Sequence, residues 1–367
     1  MSLKKWYWLL DIEECRTSQL NSGKMDIRFG TFNLYQFAAP PVAWYAPQNT
    51  YSDSDWFDKK AWVTAQLDEM ACDVVGFQEV FSPDELKALV NAAGYPHFAV
   101  VDTPAKGDDG DNVYVGPVVA IASKFPLVSA EKVSFNDNSS QHLPLKEDTE
   151  FSRTPIRAEV QIDGAANAIV YVAHFKSKRP VSIPSDVCDN AAWDDRVLAS
   201  MQARSIGNVA SMLQRGAEAS ELYENISKDL HALSETPVVL LGDLNDNIHS
   251  IAIEALSNRG RVYDIDGVAW ADLPIEAKVA SYKLKLYDAF DMAPNPDGTA
   301  RTPTHYHRGE GGTLDYVFVS NALNEKNNNA AGRVSGFDVY DAPLKNDGVS
   351  NKKQSDHAQV VATVAFN

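Results

Sequence analysis

The chain has 367 residues, 44% of them apolar and 23% charged, with 20 glycines, the proportions of a folded globular protein rather than a disordered or fibrous one. No stretch approaches the ~18–20 uninterrupted apolar residues that a membrane span needs. A net charge of −17 repels polyanions at long range and argues against a basic nucleic-acid-binding module, yet it leaves room for an enzyme that handles phosphates through bound cations, which invert local electrostatics.

In chain order, residues 1–25 hold a short apolar run, Trp6 to Leu10, behind Lys4 and Lys5 and ahead of Asp11, Glu13 and Glu14. That run is too short for a secretory signal. Residues 1–25 are expected to be an extension, and 26–367 a single catalytic domain. Short apolar or alternating runs at Ile27–Phe32, Val74–Phe77, Val118–Ala122, Ala158–Ile162, Ala168–Ala173, Pro237–Leu241, Thr313–Val319 and Ala358–Phe366 predict strands. Helical spacing predicts a helix over Asp55–Met70. The sequence Ser82-Pro83-Asp84-Glu85 predicts a capping box opening a helix that stops at Gly94, and a long helical region is expected over Ala191–Leu233, broken near Gly216. Strands outnumber helices without alternating with them, and no linker divides the chain. The expected fold class is therefore α+β, two packed mixed β-sheets with helices outside. Three unpaired cysteines, Cys15, Cys72 and Cys188, favour a reducing, cytoplasmic compartment, and a monomer is expected.

Four runs end in polar residues where the strand should leave the core: Asn33, Glu79, His174, and Asp243 with Asn245. Two others begin with them: Asp315 before Tyr316, and Asp356-His357 before Ala358. If the last two strands run antiparallel to the first four, all these groups meet at one edge. Taken singly, such residues are ordinary turn formers, surface acids or structural histidines. Gathered together, four carboxylates, two amides and two imidazoles suit a hard divalent cation, without which the carboxylates would raise one another's pKa. Two decoys fall away. Asp243-Leu-Asn245-Asp-Asn247 lacks the glycine of a calcium loop, Ile248 standing in its place, and His305-Tyr-His307 lacks partners at zinc spacing. His305 and His307 are expected in an aromatic-rich loop lining the cleft.

Six motifs, Thr31-Phe-Asn33-Leu, Gln78-Glu79-Val, His174-Phe-Lys-Ser, Gly242-Asp243-Leu-Asn245-Asp, Leu314-Asp315-Tyr and Ser355-Asp356-His357, stand in the order of the endonuclease/exonuclease/phosphatase superfamily, and the chain resembles that superfamily from residue 27 to 366. The resemblance implies a four-layer α/β/β/α sandwich and metal-dependent cleavage of phosphate esters, with DNA or RNA among the candidate substrates. It implies Glu79 as main ligand of Mg²⁺ or Mn²⁺, with Ca²⁺ a further candidate ion, and places Asn33 and Asp356 beside it. It further implies that Asp243 aligns or deprotonates the attacking water and Asn245 donates to a phosphate oxygen. Asp315 would orient His357 against the phosphate, and His174 would help as general acid. Arg153 matches a phosphate-contacting arginine of some branches. Lys176 and Lys178, with Arg179, form a local cationic patch fit for flanking phosphates. A nuclease-type phosphodiesterase is the leading expectation; the alternatives are a phosphatase or phospholipase/sphingomyelinase-type hydrolase, and a non-catalytic binding protein on the same scaffold. The long helical region at 180–233 departs most from the compact forms of the family.

Overall fold

The computed structural model describes residues 25–136, 142–143, 145, 149–162, 167–184, 187–188, 190–295, 298–344 and 351–367. The expected extension lies outside these residues, save Met25, which opens the first strand. Twelve strands among the described residues form two six-stranded sheets. In chain order they are β1 (Met25–Phe37), β2 (Val74–Val80), β3 (His97–Ala99), β4 (Val118–Ser123), β5 (Leu127–Lys132), β6 (Ile156–Val160), β7 (Ala168–His174), β8 (Val238–Asp243), β9 (Leu286–Asp288), β10 (Asp315–Ser320), β11 (Gly332–Tyr340) and β12 (Gln359–Phe366). The first sheet runs β11-β12-β1-β2-β4-β3 and the second β9-β10-β8-β7-β6-β5. Each is mixed. The parallel pairs are β1 with β2 and β7 with β8, while β12 runs antiparallel to β1 and β10 to β8. The ends of β1, β2, β7 and β8 and the beginnings of β10 and β12 therefore share one edge of the sandwich.

Alternation along the strands builds the layers. Phe29, Val74, Val170, Val172, Leu241 and Val317 point between the sheets and form one cluster. Their neighbours Phe32, Val75 and Phe77 face the other way, against Val63, Leu67 and Leu86 of the helices α1 (Asp53–Met70) and α2 (Pro83–Ala92). On the opposite face Ile169, Tyr171, Leu240 and Phe318 pack on Ala219, Leu222, Ile226 and Leu230 of α3 (Trp193–Ala232). Three apolar clusters thus separate four layers, α/β/β/α. The sheets approach so closely at Gly76 that an added Cβ would stand 3.0 Å from Val172 and 3.1 Å from Leu241. No helix among the described residues is long and apolar enough to cross a membrane.

Two local expectations are corrected. Residue Gly216 does not interrupt α3, which is continuous from Trp193 to Ala232: the cost of one helical glycine, about 1 kcal/mol, is small beside the burial of Leu222, Ile226 and Leu230 a turn or more beyond it. Nor does Ser82 form a capping box; its side chain makes no cap bond, and its hydroxyl instead accepts from Ala39 N at 2.8 Å, tying α2 to the chain that follows β1.

Candidate active site

The shared edge is built from distorted strand ends. After Asn33 the β1–β2 register shifts, and Tyr35 and Gln36 adopt φ of 52° and 60°, as Glu79 does at 61° and Asn245 at 53°. Left-handed backbone at non-glycine residues is costly and is typically kept where side chains must be aimed. Here it presents Gln36 N to Glu79 Oε2 at 2.9 Å. On the second sheet, an added Cβ at Gly242 would lie 2.5 Å from Ala173 O, so glycine allows β8 to press against β7 just before Asp243. Register then sets Asp243 between His174 and Asp315.

Hydrogen bonds join the two sheets. Asn33 Nδ2 donates to Asp243 Oδ2 at 3.0 Å, and Asn33 Oδ1 accepts from Tyr35 N at 2.9 Å. His174 Nε2 lies 3.5 Å and His357 Nε2 3.8 Å from the same Asp243 oxygen. His357 Nδ1 is 2.9 Å from Asp315 Oδ2. The Ser355 hydroxyl donates to Asn33 O (2.7 Å) and accepts from His357 N (3.0 Å), and Thr304 Oγ1 accepts from Leu314 N and Asp315 N. Asn245 N donates to Asp243 Oδ1 at 3.0 Å, and its amide is turned to Phe175 O at 3.1 Å. Asn33, His174, Asp243, Asp315 and His357 are all buried.

Electrostatics separates the titrating groups. Burial, reinforced by Asp315, pushes Asp243 up to about 7 against the opposing pull of His357, Asn245 and Asn33. Burial alone would discharge His357, but Asp315 and Asp243 overcome it and hold the imidazolium well above its ordinary range. His174 goes the other way: burial, then the charges of Arg153 and His357, keep it neutral. Burial and then Asp356 push Glu79 up. Like charges on adjacent carboxylates are what a divalent cation relieves, so the donor set fits such an ion. Among the described residues, two triads bring their ligand atoms within 4.8 Å of one another, Asp243–Asp315–His357 and His305–Asp356–His357. Glu79 belongs to neither, although Asp356 acts on it electrostatically. His174 Nδ1 and Asp315 Oδ1 are buried without a hydrogen-bond partner among the described residues.

Among the expected substrate contacts, Arg153 Nη1 donates to Phe175 O at 3.2 Å, and its charge reaches Glu79 and His174. Lys176 Nζ folds back onto Ser177 O (3.1 Å) and Arg179 O (2.9 Å), and Lys178 Nζ sits 3.4 Å from Asp246. His305 belongs to a short hairpin, His305–His307 with Glu310–Gly312, rather than to a loop. Its ring centroid is 4.9 Å from that of His357. Thr304 and Tyr45 sit in no motif that would mark them: Tyr45 adopts φ 63°, and burial, then the charge of Glu79, pushes its hydroxyl up against the opposing pull of Arg153. The pair Arg215 and Glu218 also emerges only in the fold. Arg215 Nε donates to Asp246 Oδ2 (2.9 Å) and its Nη1 to Lys176 O (3.1 Å). Glu218 accepts from Ser152 N (2.8 Å) and Lys176 N (2.6 Å).

Two mixed sheets carrying convergent carboxylates and imidazoles at one edge define a class, and the sequence agrees: residues 30–357 match the endonuclease/exonuclease/phosphatase family, to which the chain belongs. A search of curated protein sequences finds no match. Among solved structures, the chain is similar to the human Nocturnin catalytic domain with bound sulfate (15% identity, TM-score 0.52, 94% of this chain and 96% of that one). It is similar also to truncated Caenorhabditis elegans TDP2 (16%, 0.50, 93% and 98%) and to an endonuclease/exonuclease/phosphatase from Bacteroides vulgatus (16%, 0.50, 94% and 100%). At these identities the likeness shows the fold. The family supports phosphoester hydrolysis at the level of class, and the acidic and histidine groups at the edge are of the kind that hold a divalent metal.

Proposed function

We propose that the chain is a Mg²⁺- or Mn²⁺-dependent phosphodiesterase of nuclease type. The observation that carries this reading is the meeting of Asn33, His174, Asp243, Asp315 and His357 around one Asp243 carboxylate, from both sheets. Glu79, Asp356 and Asn33 would hold the cation, which when bound supplies neutralisation of charge on the non-bridging phosphate oxygens. With a pKa of about 7, Asp243 is matched to accept a proton from the attacking water near neutrality. The imidazolium of His357, oriented by Asp315, donates from Nε2 toward the phosphate. General-acid help was expected of His174; its environment favours the neutral ring, so the proton for the leaving oxygen is assigned to His357, and His174 helps to place Asp243. Arg153 is the phosphate-contacting arginine. With metal-loaded protein, Asp243→Asn and His357→Ala should each slow hydrolysis of bis(p-nitrophenyl) phosphate by about 10²–10⁴-fold, and EDTA should abolish it in the wild type; activity within a few-fold of wild type in either variant, or undiminished in EDTA, overturns the reading.

A second reading is a phosphatase or phospholipase-type hydrolase of a small or lipid-borne phosphate. It is favoured by the commitment of Lys176 Nζ and Lys178 Nζ to protein acceptors on a chain of net charge −17, because a long polyanion needs several free cations along its path. A panel of supercoiled DNA, inositol phosphates and sphingomyelin separates the two.

A further inference from the structure

Lys59, on α1, has no exposed surface. An ammonium group has three donors and no acceptor, and all three are used on backbone carbonyls: Tyr35 O at 3.1 Å, Lys352 O at 3.1 Å and Gln354 O at 2.7 Å. The charge also lies 5.8 Å and 5.7 Å from the ring centroids of Tyr35 and Trp62, and the Tyr51 hydroxyl adds a bond to Lys352 O at 2.8 Å. Burying a cation carries a large desolvation penalty, and an apolar side chain of similar volume generally fills such a space at lower cost. Packing therefore does not account for a lysine here; its donors do.

The three carbonyls belong to two segments far apart in the chain, and both carry metal-facing residues. Tyr35 stands two residues after Asn33, in the left-handed turn whose next residue, Gln36, donates its N–H to Glu79. Lys352 and Gln354 lead into Ser355, which bonds Asn33 O, and then into Asp356 and His357. We infer that Lys59 is the positioning residue of the metal-binding edge, one ammonium pinning the backbone that sets Asn33, Glu79 and Asp356 relative to one another. This rests on the proposed assignment of those three residues to a divalent cation.

Position and charge predict opposite outcomes. Burial pushes Lys59 down to about 7, against the opposing pull of Glu79 and Asp356; as a field alone its charged form repels a divalent ion, and K59M would bind Mn²⁺ more tightly. As a clamp it preorganises the ligands, and its loss should weaken binding by about 10–100-fold, the range seen when groups supporting metal ligands are removed. Calorimetric titration of Mn²⁺ into metal-stripped full-length wild type and K59M decides between them, with a melting curve of each protein beside it. Weaker binding by folded K59M supports the inference; equal or tighter binding overturns it while leaving the metal assignment intact. No Mn²⁺ binding by the wild type overturns the metal assignment, and the inference with it. If K59M does not fold, K59R carries the test: the charge is kept but the planar fork cannot meet three converging carbonyls, so binding at least tenfold weaker is expected and wild-type affinity refutes the clamp.

Discussion

His357 Nδ1 lies 2.9 Å from Asp315 Oδ2, across 42 residues of sequence and from one sheet to the other. The pair is buried and is the main reason that His357 stays charged against the cost of burial. If the imidazolium is the active form, activity is lost as pH rises through the His357 pKa. Asp315→Asn removes the charge that raises that pKa, so the alkaline limb of the kcat/KM profile should move to lower pH. An unmoved limb would detach this pair from the reaction.

Asp243 governs the other limb. Its carboxyl must lose a proton to act as base, and its pKa is pushed up to about 7, so activity should fall as pH drops below neutrality. Asp243→Asn should lower kcat by about 10²–10⁴-fold, the usual worth of a positioned acid or base, with melting retained. A variant within a few-fold of wild type would contradict the assignment.

The same shift predicts a stability trend in metal-free protein. A carboxyl raised from 3.8 to about 7 binds more protons folded than unfolded between those values, so its contribution to stability declines as pH rises through that window. In EDTA, the melting temperature of Asp243→Asn should therefore gain on that of wild type between about pH 4 and pH 7. A constant difference across that range would mean that Asp243 is not strained by burial.

The helix α3 supports the site from behind. Glu218 accepts from Ser152 N and Lys176 N, next to Arg153 and beyond His174. Glu218→Ala leaves both backbone donors without their acceptor and should cost about 1–3 kcal/mol in urea unfolding, with kcat/KM reduced; Glu218→Gln should recover part of both. Unchanged stability in the alanine variant would show that water replaces the carboxylate.

The strands with continuous apolar runs, such as β7 and β8, and the polar residues at their ends were legible in the sequence because both faces of those strands are buried. β5 and β11 were not, since they flank their sheets and expose much of their length, which removes the apolar pattern. The convergence of Asn33, Asp243, Asp315 and His357 followed from strand direction. The residues that brace the surrounding backbone did not: Thr304, Lys59, Arg215 and Glu218 act largely through backbone carbonyls and amides of neighbouring segments, and no spacing rule in the chain encodes such contacts. The neutral state of His174 and the unbroken α3 likewise depend on tertiary burial, which local sequence does not carry.

On the proposed function, this edge gathers a divalent cation and a phosphate between the two sheets. Diffraction from a crystal soaked with Mn²⁺ and phosphate tests it most directly: an anomalous peak is predicted within about 2.0–2.6 Å of carboxylate oxygens of Glu79 and Asp356, with the phosphate beside His357 and Asp243. A manganese peak away from that edge, or none at saturating ion, would contradict it.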